Sequence, residues 1–136
     1  MFYEWDKNLE TGHEAIDSQH RQLFVTLNHL NEASGQGKTR EEIFGLIEYL
    51  SGYTVKHFMN EEELQLQYGY PNYNAHKKLH DEFRVTVDNL GKRFFDEGPS
   101  EDLIDLITRT IGEWFVYHIQ GEDTVMANFV KSKVCC

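Results

Sequence analysis

Residues 54–83 read TVKHFMNEEELQLQYGYPNYNAHKKLHDEF, and two pairs within them decide the fold. His57 and Glu61 lie four residues apart, as do His76 and His80. At ~3.6 residues per turn, each pair shares one face of a helix. Both pairs also continue apolar stripes. Ile43, Leu46, Ile47, Leu50 and Thr54 lead into His57, Glu61 and Leu64, while Phe83, Val87, Leu90 and Phe94 follow His76 and His80. Gly69, Tyr70 and Pro71 break the chain between the two stripes. Long helices joined by so short a turn lie antiparallel, so the stripes face one another with polar groups among them.

The same pattern extends in both directions. A helix from about Asp17 to Ala33 carries His20, Leu23, Phe24, Leu27 and Leu30 on one face and stops at Ser34-Gly35-Gln36-Gly37. The second helix starts at Thr39, where Thr39 and Glu42 fit a capping box, and reaches about Gln67. The third runs from about Asn72 to Phe95, ahead of Gly98-Pro99. Ser100, Glu101 and Asp102 suit the start of a fourth, whose stripe is Ile104, Ile107, Ile111, Trp114 and His118. It is expected to end near Ile119 because Gly121 follows, with a short helical piece over Thr124 to Lys131. The expected class is therefore all-α: an up-down-up-down antiparallel four-helix bundle with an irregular N-terminal arm and a short C-terminal helix. One domain is expected over 1–136, with the arm at 1–16, the bundle and short helix at 17–131 and a tail at 132–136. In the arm, Phe2, Tyr3 and Trp5 are available to pack on the bundle.

Composition narrows the partners. A net charge of -10 over 136 residues weighs against nucleic acid and anionic membranes, which reward clustered Lys and Arg. No apolar run approaches the ~20 residues that span a bilayer, so membrane insertion is not expected. The start, MFYEWDKNLE, lacks the basic and apolar regions of a secretory signal, and a cytoplasmic location is expected. Cys135 and Cys136 are adjacent, so they cannot staple the fold and match no zinc spacing. They read as a frayed tail with reactive thiols, with an intermolecular disulfide as the lesser alternative.

The polar residues inside the stripes carry the chemistry. His20, His57, Glu61, His76, His80 and His118 fall on inward faces, and a turn at Gly121 would let the chain leave the helix and bring Asp123 back inward. Taken singly, His20 reads as a core histidine and His57/Glu61 as a buried hydrogen-bonded pair. Five histidines and two carboxylates on the inner faces of one bundle are another matter. Without a metal their burial would exceed a domain's stability of ~5–15 kcal/mol. His29 falls about half a turn away from His20, facing solvent, and His13 lies in the arm without an assigned role. Seven ligands are too many for one zinc. Imidazole-rich, carboxylate-bridged sites suit a pair of iron ions, although similar ligands also hold manganese. For two six-coordinate irons, five imidazoles, two bridging carboxylates and an oxo or hydroxo bridge leave one position, which suits a small diatomic ligand.

The order His20, His57-Phe-Met-Asn-Glu61, His76-Lys-Lys-Leu-His80 and His118-Ile-Gln-Gly-Glu-Asp123 resembles the hemerythrins. The lead-in Ile16-Asp17-Ser18-Gln19-His20 and Asn28 also look like that family, and the likeness runs from about Trp5 to Phe129. The resemblance implies that His76, His80 and His118 hold a coordinatively complete iron. It gives His20 and His57 the iron with the open position, and makes Glu61 and Asp123 bridges. It implies reversible dioxygen binding at a non-haem di-iron centre, by a carrier, a store or a supplier to an oxygen-consuming enzyme, and not by an enzyme. Only two carboxylates and an apolar surround of Phe24, Leu27, Phe83, Ile111 and Trp114, the expected lining of the O₂ pocket, agree with reversible binding. The alternatives are an O₂ or redox sensing module and a peroxidase or nitric oxide-handling protein. A monomer is expected.

Overall fold

The structure is a computed structural model that describes residues 3–134. Phe2, expected to pack on the bundle, and the Cys135–Cys136 pair lie outside the described residues. Four long helices follow an arm: α1 (Glu14–Ala33), α2 (Arg40–Tyr68), α3 (Tyr73–Glu97) and α4 (Glu101–His118), with α5 (Thr124–Val134) after them. α1 packs on α2 and α4, and α3 packs on the same two, which gives the expected four-helix bundle.

Local chemistry sets the helix ends. Thr39 accepts from the Glu42 N–H and the Glu42 carboxylate accepts from the Thr39 N–H, so the expected capping box starts α2. Ser100 Oγ accepts from the Leu103 N–H and starts α4. Gly69, at φ +69°, ends α2 in a left-handed conformation that costs glycine little, and the Tyr70 N–H closes onto the Gln65 carbonyl. That turn places α3 directly back along α2.

Two boundaries differ from expectation. Residues 1–16 are not wholly irregular: Lys7–Leu9 form a 3-10 turn and α1 already begins at Glu14. The reason is His13, whose ring Nδ1 accepts from the Ile16 N–H while its carbonyl accepts from the Asp17 N–H. His13 is thus the cap of α1, and His29 is exposed as expected. Gly121 does not end α4. The chain passes through a π-helical turn at Ile119–Asp123 into α5, which continues beyond Lys131 to Val134. Asp123 therefore reaches the interior by a wider helical turn rather than by leaving the helix.

The inner stripes are buried largely as expected, with Leu46, Leu64, Leu90 and Trp114 only partly covered. One apolar core fills the bundle from Ala33, Ile43 and Phe94 to Phe58 and Phe115. A second, of Ile16, Tyr70, Met126 and Val130, caps the end near the α2–α3 turn. The seven polar residues lie toward this capped end.

The arm is tied down along its length. Tyr3 and Asn28 exchange two hydrogen bonds, from Tyr3 N to Asn28 Oδ1 and from Asn28 Nδ2 to Tyr3 O. Asp17 accepts from both Thr11 groups and from the Gly12 N–H, and Lys131 donates to the Thr11 carbonyl. The Tyr3 ring lies so close to Gly112 that a Cβ there would collide with it. Gly112→Ala is expected to cost about 1–3 kcal/mol by overpacking, read by thermal denaturation. With Tyr3→Ala also present, the same change should become neutral or stabilising, because alanine favours helix over glycine by about 1 kcal/mol. Additive effects would show that the ring does not seat on Gly112.

Candidate metal centre

Each of the seven residues is placed by a helical register. His20 comes from α1, His57 and Glu61 from α2, His76 and His80 from α3, His118 from the end of α4 and Asp123 from the π turn. In a straight α-helix five residues would carry Asp123 ~140° away from His118. The π turn, with the Thr124 N–H bonded to the Ile119 carbonyl, widens the turn and narrows that offset. All seven are buried: His20, His76, His80 and Asp123 at 0 % exposure, His57 and Glu61 at 1 %, and His118 at 3 %.

Their ligating atoms fall into two groups that share both carboxylates. One holds Glu61, His76, His80, His118 and Asp123, and the other His20, His57, Glu61 and Asp123. Glu61 turns Oε1 to His80 Nε2 (3.2 Å) and Oε2 to His57 Nε2 (3.2 Å). Asp123 turns Oδ1 to His76 and His118 Nε2 (3.1 Å each) and Oδ2 to His20 Nε2 (3.0 Å). Every imidazole presents Nε2, and each carboxylate divides its oxygens between the groups.

These atoms fit cations better than one another. The Nε2 atoms of His20 and His57 and all four carboxylate oxygens are sealed from solvent and lack an aligned hydrogen-bond partner, despite separations near 3 Å. His118 Nε2 stands 3.1 Å from His76 Nε2 and 3.2 Å from His80 Nε2. Donors about 2.1 Å from a common ion are ~3.0 Å apart at neighbouring corners of an octahedron and ~3.4 Å apart in a tetrahedron. Most of the edges, at 3.0–3.2 Å, lie near the octahedral value, while Glu61 stands farther off, 3.5 Å from His20 Nε2 and 3.6 Å from His76 Nε2.

The surroundings hold residues that the sequence reading did not single out. Gln19 Oε1 contacts His57 Nδ1, and Glu62 Oε2 lies 3.0 Å from His80 Nδ1. Partners of this kind fix which ring nitrogen carries the proton and leave Nε2 free to ligate. Gln19 stands directly before a candidate ligand and Glu62 directly after one, but only the bundle's packing reveals which rings they reach. Phe58 stacks on His80 with centroids 3.8 Å apart. Trp5, from the arm, stands 6.4 Å from His20 and 6.1 Å from Phe24. Of the expected pocket lining, Phe24, Leu27, Phe83 and Ile111 are buried. Trp114 lies flat on His118 and on Phe83, at 4.2 and 3.9 Å, and so covers the three-imidazole group.

A scan against protein families matches the hemerythrin HHE cation binding domain over residues 11–130. The chain belongs to the hemerythrin family. It is 35 % identical to a bacteriohemerythrin of Stenotrophomonas maltophilia (strain R551-3), over 94 % of this chain and 81 % of that one. It is 31 % identical to a myohemerythrin of Theromyzon tessulatum, over 89 % of this chain and 88 % of that one. A wild-type hemerythrin crystal structure superposes with a TM-score of 0.84 at 28 % identity, covering 96 % of this chain and 98 % of that one. No described helix of this hemerythrin-family chain is long and apolar enough to cross a membrane.

The cluster's charges follow from its geometry. Burial opposes the imidazolium forms of His20 and His76, but the Asp123 and Glu61 carboxylates outweigh it and hold both pKa values up at about 9. Burial also opposes a charged His80, which Glu61 and Glu62 nonetheless raise. Glu61, despite burial, is held well below the usual carboxylate range by the electrostatic pull of His57 and by contacts to His20, His57 and His76. Burial and Glu61 both push Asp123 up, yet His118 and His20 bring it below its ordinary value. In the metal-free protein, the imidazole contribution to stability is complete below the unfolded pKa of ~6.5 and is lost as pH rises through about 9. The carboxylate contribution is present above ~4.5 and is lost on acidification. Metal-free protein should therefore be most stable between about pH 5 and 6.5. A divalent cation bound at pH 7 should release at least the two protons of His20 and His76, measured by calorimetry in buffers of different ionisation enthalpy. Binding without proton release would contradict this charge assignment.

Proposed function

We propose that the chain binds dioxygen reversibly at a non-haem di-iron centre, as a carrier, a store or a supplier to an oxygen-consuming enzyme. His76, His80 and His118 would hold one iron and His20 and His57 the other, with Glu61 and Asp123 shared between them. The observation that carries this reading is the division of the two carboxylates. With it, one group presents five protein donor atoms and the other four. Donor sets of unequal size favour small-ligand binding on the two-imidazole side. Two ferrous ions with an oxo or hydroxo bridge would supply the two electrons and the binding position that dioxygen requires.

The chain's own residues favour reversibility by what they exclude. Phe24, Phe58, Phe83 and Ile111 are buried apolar walls, and Trp5 and Trp114 cover His20 and His118 from outside. Glu62 is a third carboxylate at the cluster, but it meets the outer edge of His80 rather than the interior. A dry, apolar interior with no inward-facing carboxyl group beyond Glu61 and Asp123 slows protonation and loss of a reduced ligand. This disposition supports a binding protein rather than an enzyme.

Purified protein loaded with ferrous iron should contain two irons per chain. Its charge-transfer absorption should appear in air and disappear under argon through repeated cycles. Irreversible oxidation on first exposure would contradict the carrier reading and favour a sensor or an enzyme. Trp114→Ala should let water reach His118 and speed oxidative loss of the oxygenated form several-fold, followed by the decay of that absorption. An unchanged lifetime would show that Trp114 is not part of the barrier.

A further inference from the structure

Gln65 is fully buried, yet neither its amide oxygen nor its amide nitrogen has a hydrogen-bond partner. An amide sealed from water without partners is costly, so one retained in an interior points to a partner nearby. The α2–α3 hairpin indicates which. Across it Phe58 faces Phe83, with ring centroids 6.1 Å apart, and about one turn further on Glu61 faces His80 at 3.2 Å. The two helices run antiparallel, so a turn forward on α2 matches a turn back on α3. The next pair in this register is Gln65 and His76. His76 turns Nε2 toward Asp123, and its Nδ1 is itself buried without a partner. Two other rings of the cluster have the equivalent nitrogen held, His57 by Gln19 and His80 by Glu62.

We propose that Gln65 is a positioning residue for His76: its amide oxygen accepts the Nδ1 proton of that ring, either after rotation of the amide or through one bridging water. The inference rests on the reading that His76 binds metal through Nε2. A ring that ligates through Nε2 carries its proton on Nδ1, and that proton needs an acceptor in a dry interior. Gln65 supplies a neutral one, whereas Glu62 supplies a charged one to His80. The two α3 ligands thereby differ in basicity, although they lie one turn apart on one face.

The test uses protein labelled with ¹⁵N-histidine and loaded with zinc, a closed-shell ion that leaves the ring signals sharp. In the wild type the His76 Nδ1 proton should exchange slowly with solvent. Gln65→Met has similar size and replaces the amide oxygen with a thioether sulfur, only a weak acceptor. It should speed that exchange at least tenfold and weaken zinc binding by about 10- to 100-fold, with the His80 signal unchanged. Gln65→Glu should restore protection and move the His76 proton downfield. If Gln65→Met does not fold, the glutamate variant decides alone: a downfield shift confined to His76 supports the proposal, and no shift overturns it. Unchanged His76 exchange and zinc affinity in Gln65→Met, or a change at His20 in place of His76, would also overturn it while leaving the metal centre standing. Failure of zinc to reach His76 Nε2 in the wild type would instead remove the metal reading and this inference together.

Discussion

Glu61 and Asp123 place two ionised carboxylates, at 1 % and 0 % exposure, in the middle of an apolar bundle. Taking such charges out of water costs several kcal/mol each unless positive charge and well-placed partners surround them. Five imidazoles converge on their oxygens from α1, α2, α3 and α4, so the whole bundle is committed to balancing this one pair. The balance can be struck with protons, which the raised pKa values of His20 and His76 reflect, or with cations, which the 3.1–3.2 Å spacing of His118 Nε2 from the His76 and His80 Nε2 atoms fits. Protons and cations therefore compete for the same lone pairs.

The geometry of that competition depends on features far apart in the chain. The left-handed turn at Gly69 returns α3 along α2 in the register that sets His80 opposite Glu61. The π turn after His118 brings Asp123 within 3.1 Å of that imidazole. The arm, clamped by Asn28, Asp17 and Lys131, holds Trp5 beside His20. The apolar cap of Ile16, Tyr70, Met126 and Val130 closes the end of the bundle beyond the seven polar residues. Removal of any one of these features would admit water or misalign a donor.

Much of this was legible in the sequence because it depends on helical periodicity. His57/Glu61 and His76/His80 declare a shared face by spacing alone, and the capping box at Thr39 and the break at Gly69 follow from local chemistry. The path to Asp123 was not legible. A glycine two residues before it reads as a helix stop, and no local signal separates a stop from a π turn that tertiary packing favours. The role of His13 is not legible because ring capping of a helix depends on the arm's path. Gln19 and Glu62 are polar residues beside candidate ligands, and only the packing of neighbouring helices shows which rings they approach.

The central claim is that Glu61 and Asp123 are shared between two metal ions rather than paired with protonated histidines. Anomalous diffraction at the iron absorption edge, from crystals of iron-loaded protein, tests it most directly. The account predicts two peaks per chain with the Glu61 and Asp123 carboxylates between them, one beside His76, His80 and His118 and the other beside His20 and His57. A single peak, or two peaks that do not both contact these carboxylates, would contradict it.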